Sequence, residues 1–124
     1  MGMDRTIRFP PHRAPTWVAI RAQLGRVGEQ ATLRMIDGLP AFPDEELVPG
    51  WKEVRIGFSA GMVTLRAIPD GFTSVVWGNA DSNLRSAWDK LCWAAACAGG
   101  GEVLTPTGAM SADDFAQSVG LIPA

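Results

Sequence analysis

The segment Asp81–Ala98, with the sequence DSNLRSAWDKLCWAAACA, begins as a one-sided helix and ends apolar all round. A helix of that kind needs protein against more than one of its sides. At about 3.6 residues per turn, Leu84, Ala87, Trp88, Leu91, Ala94, Ala95 and Ala98 form one stripe, with Arg85, Ser86, Asp89 and Lys90 on the other side. Trp93 breaks this pattern. It projects opposite the Trp88 stripe, flanked by Cys92, Ala96 and Cys97. Trp93, Cys92 and Cys97 are therefore candidate interface residues, to be covered by the N-terminal arm, by the last helix or by a second subunit. The third option makes a homodimer the expected association.

A chain of 124 residues suits one domain with one core. Its 47% hydrophobic and 19% charged residues call for a packed interior, and the 11 basic residues are scattered under a net charge of −2, which leaves no footprint for nucleic acid. Cys92 and Cys97 lie five apart, so about 7.5 Å of helix rise separates them and no disulfide closes without breaking the helix. Two reduced thiols in a cytoplasmic protein are the simplest expectation. Their spacing fails the CxxC pattern, and with a single histidine no closed zinc shell is expected, nor any cofactor. Membrane insertion is not expected either. The longest apolar run, Leu91–Ala98, falls far short of the roughly 20 residues a span requires, and Pro10-Pro11-His12-Arg13 stands where a leader would be apolar.

Along the chain, residues 1–15 carry Pro10, Pro11 and Pro15 and predict an extended arm outside an α+β domain of residues 16–124. A helix is expected over 16–27, with Trp17, Ile20, Leu24 and Val27 on one face, then a strand over 31–36 with Leu33 and Met35 sharing a side. Asp37-Gly38 opens a long proline-rich connection with Asp44, Glu45 and Glu46 in its middle, ending near Trp51. A three-strand meander follows over 51–78. A turn at Ala60-Gly61 brings Val54, Ile56 and Phe58 to the same face as Val63, Leu65 and Ala67, and a three-residue turn around Pro69-Asp70-Gly71 adds Val75 and Trp77 to it. The helix over 82–98 ends at Gly99-Gly100-Gly101, a short strand is expected near 102–105, and a last helix over 112–119 starts from Ser111. The expected architecture is two-layer: an antiparallel sheet of about four strands packed on one face by the helices 16–27 and 82–98.

Chemistry-bearing motifs are sparse. The glycine triplet follows a helix, where carbonyl oxygens are exposed, whereas phosphate loops precede helical N–H groups. Ser59 lies outside any nucleophile elbow, His12 sits on a proline-rich segment without an evident partner, and Asp113-Asp114 read as helix N-terminal acids. The strongest candidate cluster is on the second sheet face: Arg55 and Arg66 directly opposite one another, with Thr64 and Ser74 beside them. An uncovered face of that composition would hold a small anionic ligand through charge-assisted hydrogen bonds, unless Glu53 or the 44–46 acids neutralise it. The leading expectation is a non-enzymatic binding or protein-interaction module, dimeric, with the anion-binding protein as the alternative and an enzyme third.

Overall fold

The computed structural model describes residues 2–42 and 44–123. Met1, at the start of the expected arm, Pro43, within the long connection, and Ala124 lie outside them. In chain order the elements are β1 (Gly2–Arg8), α1 (Trp17–Arg26), β2 (Thr32–Ile36), β3 (Leu39–Pro40), β4 (Glu53–Phe58), β5 (Gly61–Ile68), β6 (Gly71–Trp77), α2 (Ser82–Gly99), β7 (Glu102–Thr105), β8 (Gly108–Ser111) and α3 (Ala112–Val119). Among the described residues the strands form one eight-stranded antiparallel sheet, in the order β3-β2-β4-β5-β6-β1-β7-β8.

The expected sheet of about four strands is therefore half the size of the real one. β3 and β8 are short edge strands and β7, the short strand expected near 102–105, lies just inside β8, but β1 is a central strand, hydrogen-bonded to β6 on one side and β7 on the other. It occupies the residues expected to form a free arm. Met3, Arg5, Ile7 and Phe9 alternate toward the core, with Ile7 wholly buried, and the charged Arg5 at an inward position hides the two-residue period. Only the stretch after Phe9 remains irregular. There Arg13 N–H donates to the Pro10 carbonyl at 3.0 Å, closing a turn with His12 at φ 62°.

Register explains the other departures. The β4–β5 turn lies at Ser59-Ala60, so Ile56 pairs with Val63 and Val54 with Leu65. That is a shift of two residues from the expected register, so face membership survives, although Ala67 ends exposed beyond the core. Between β5 and β6 the loop has two residues, Pro69-Asp70, and every side chain of β6 changes sides. Phe72, Ser74 and Val76 face the core, while Val75 and Trp77, expected inside, face outward. Gly71 does not have a positive φ. Its role is close approach, since a Cβ there would lie 1.9 Å from the Ile7 carbonyl oxygen where β1 leaves the ladder. In β2 the register shifts between Leu33 and Met35, so Arg34 is an inserted residue, Met35 pairs with Arg55 on the outer side, and Ile36 pairs with Val54 on the core side.

The long connection is shorter than it reads. Asp37 and Gly38, at φ 50° and 83°, make the tight turn into β3. The Asp37 carboxylate accepts from the backbone N–H groups of Lys52 (2.8 Å) and Glu53 (2.9 Å), fastening that turn to the start of β4. These two bonds, the Glu53 one foremost, hold its carboxyl below the usual carboxylate range.

All three helices lie on one side of the sheet, with α2 between α1 and α3. Side chains cap each start: Thr16 Oγ1 accepts from Ala19 N–H, Asp81 Oδ1 from Leu84 N–H, and Ser111 Oγ from Asp114 N–H. Gly100 and Gly120 end α2 and α3 in the left-handed region. With the sheet beneath it and a helix on either flank, α2 has protein on three sides. Trp93 is accordingly 1% exposed within a single chain.

Candidate functional site

The most elaborate side-chain arrangement lies under α2. Ser74 is the buried polar residue of the core, at 0% exposure, and its hydroxyl donates to the Arg5 carbonyl at 3.2 Å. Trp88 Nε1 donates to Ser74 Oγ at 2.9 Å, and Cys92 Sγ lies 3.2 Å from that hydroxyl oxygen. A hydroxyl has one proton and two lone pairs, so with its proton committed to Arg5 the contact to Cys92 runs from S–H to Oγ. Burial pushes the Cys92 thiol up, which keeps that proton in place. Every bonding position of Ser74 is then filled.

Arg5 completes the group. Its guanidinium lies 3.8 Å from the centroid of the Trp88 ring and 5.2 Å from that of Phe115, and it pairs with Asp89 at 2.5 Å. A cation at a core-facing strand position is tolerable because an aromatic face and a carboxylate both receive it. The network joins β1, β6, α2 and α3. Its groups bond one another, so it fixes how the helix layer sits on the sheet and presents no free acid, base or nucleophile outward.

The opposite face of the sheet is a different surface. Among the described residues no helix lies on it, and its centre consists of the half-buried short side chains Thr6, Thr64, Thr73 and Val75. Trp77 stands on it 64% exposed and Met62 49% exposed. Arg66 pairs with Glu53 at 3.2 Å, and Arg8 with Glu102 at 3.2 Å. The Arg34 side chain lies over Gly57, where a Cβ would come within 2.7 Å of its Nε.

Two of the depressions at the sheet end where β5 turns into β6 adjoin the turn that leads into α1. One, about 420 Å³, runs between the start of α1 and the 47–51 segment and is walled by Trp17, Trp51, Ile68 and Phe72. In its wall the Phe72 and Trp51 rings meet at a tilt, 5.2 Å between centroids, and Phe9 packs edge-on against Phe72 at 5.0 Å. The other, about 360 Å³, is open and shallow, with His12 and Asp70 on its rim. Among the described residues no group of three or more histidine, cysteine, aspartate or glutamate side chains is placed to hold a metal ion, and no helix is long and apolar enough to cross a membrane.

The ligand candidates read from the sequence are only partly brought together. Arg55 faces Thr64, not Arg66, and Arg66 faces Glu53, which takes up its charge. Ser74 is on the other side of the sheet, because the two-residue β5–β6 turn reverses β6. The interface candidates also separate. Cys92 faces the sheet beside Trp88, whereas Trp93 and Cys97 face α1: the Arg26 guanidinium lies 5.5 Å from the Trp93 ring, and Cys97 Sγ donates to Gln23 at 3.5 Å. Arg5, Trp88 and Asp89 were not singled out as site residues. The available signal was an arginine inside a run of alternating apolar residues and an aspartate next to an inward tryptophan. No family model matches the chain, and neither a curated protein nor a solved structure matches it.

Proposed function

We propose that this chain is a cytoplasmic, non-enzymatic interaction module that docks on another protein surface through the outer face of its sheet. One observation carries the reading: Trp77, 64% exposed, stands with Met62 and Val75 on a sheet face that has no covering layer. Burying such a side chain is worth roughly 1.5–3 kcal/mol, so a surface tryptophan on a flat face is a strong docking anchor. The threonines around it let a partner approach closely and still satisfy hydrogen bonds at the rim. The buried polar network supports the non-enzymatic side of the reading, because its groups are engaged with one another. The two free thiols suit a reducing compartment.

Photo-cross-linking in the producing cell tests it. A photoreactive phenylalanine analogue at position 77 is expected to yield discrete protein adducts, while the same analogue at exposed Arg21 on α1 yields background only. Equal, diffuse labelling from both positions refutes docking through this face.

A further inference from the structure

We infer that the partner on the outer face is a second copy of this chain, related by a two-fold axis that runs along the strands and brings Arg55 of each copy over Asp4 of the other. This rests on the outer face being the docking surface. The ladder registers set the argument. One row of outward residues crosses the sheet as Met35, Arg55, Thr64, Val75 and Asp4, on β2, β4, β5, β6 and β1 in turn. Its centre, between Thr64 and Val75, is also the middle of the eight-strand order. Arg55 and Asp4 stand at equal distances on either side of it.

Three strand spacings separate those two residues, roughly 14 Å, so they cannot pair within one chain. Among the described residues neither belongs to an ion pair. The neighbouring row, Glu53, Arg66, Thr73 and Thr6, neutralises its own charge on one side and carries threonines on the other. Toward the other end of the strands Met62 on β5 and Trp77 on β6 occupy mirrored places about the same centre line, beside Gly57 and Gly2 respectively.

Two sheets packed face to face lie about 10 Å apart with strands within about 30° of each other. An axis along the strands, between the sheets, exchanges left for right. It sets Arg55 over Asp4 twice, Thr64 over Val75 twice, and Met62 near Trp77 twice, the last a sulfur–aromatic contact. An axis across the strands would place Arg55 over Arg55, so charge selects the first arrangement. Strands about 4.8 Å apart and about 20 Å long give the eight-stranded face an extent on the order of 700 Å², near the ~800 Å² per partner of a stable interface.

Sedimentation equilibrium of the full chain tests the pairing. The parent is expected to dimerise reversibly, Arg55→Asp and Asp4→Arg each to weaken the dimer about tenfold or more, and the double exchange Arg55→Asp with Asp4→Arg to recover most of the loss, because the same contact re-forms with its charges reversed. A double variant no better than the single ones overturns the axis. A parent that stays monomeric into the high micromolar range overturns self-pairing. If position 77 then still cross-links to a different protein, the interaction reading stands and only the identity of the partner is wrong.

Discussion

The two faces of the sheet are built from the same strands and differ in how they treat polar groups. On the inner face a serine and a tryptophan N–H are buried and an arginine is half-buried, and each is bonded within the network, so the polar chemistry there is structural. On the outer face a tryptophan and a methionine are left in water above a bed of threonines. Burial by itself does not mark a working residue. What separates the faces is whether a group's bonding capacity is already used by its own chain.

The sharpest break of that comparison uses its two tryptophans. Trp93, held between α2 and α1, is expected to cost about 3–5 kcal/mol on replacement by alanine, the range for an aromatic removed from a packed core. Trp77→Ala is expected to shift monomer stability by no more than about 0.5 kcal/mol, as for surface positions, while abolishing association. Urea unfolding at a concentration where the chain is monomeric measures both. Comparable losses from the two variants would mean that the outer face contributes to the fold in a way the uncovered sheet does not account for.

A smaller effect probes the inner network itself. Ser74→Ala removes only the hydroxyl and leaves Trp88 Nε1–H and the Arg5 carbonyl without that partner, at about 1–3 kcal/mol for each buried group left unsatisfied. Trp88→Phe removes the orphaned donor and keeps a ring beneath the Arg5 guanidinium. In the Ser74→Ala background this second change should therefore cost about 1 kcal/mol less than it does in the parent, measured by a double-mutant cycle in urea. Simple additivity would mean that the hydroxyl and the indole are not coupled.

How much of this was legible in the sequence depends on how far each constraint reaches along the chain. The three helices show in the sequence because period, caps and terminal glycines all lie within a dozen or so neighbouring residues, as Asp81 and Gly100 do for α2. β1 does not, because its inward Arg5 makes sense only beside Asp89 and Trp88, more than eighty residues away. The face of Ser74 turned on one residue of loop length at Pro69-Asp70, which in turn follows from Gly71 having to pass against the Ile7 carbonyl. That contact again joins distant strands. The outer cluster fails for a local reason, since a turn at Ala60-Gly61 sets Arg55 opposite Arg66, whereas the actual turn at Ser59-Ala60 moves the register by two residues.

The smallest expected effect concerns Cys92, the thiol on the sheet side of α2. Cys92 is wholly buried, and the loss of hydration, only partly offset by the charge of Arg5, raises its pKa above the ordinary thiol value. In the unfolded chain it ionises normally, so above about pH 8.5 the unfolded state sheds a proton that the folded state keeps. Stability from this group is complete below the unfolded pKa and is lost as pH rises toward the folded one. The chain has no tyrosine, so the alkaline limb is free of phenol titration. Cys92→Ala is expected to lower stability at neutral pH by opening a small cavity and to flatten its fall at alkaline pH. Urea midpoints taken from neutral to alkaline pH read both quantities. If the Cys92→Ala and parent curves run parallel, the thiol beneath α2 is not held protonated by its burial, and the donor direction assigned to the Cys92–Ser74 contact fails with it.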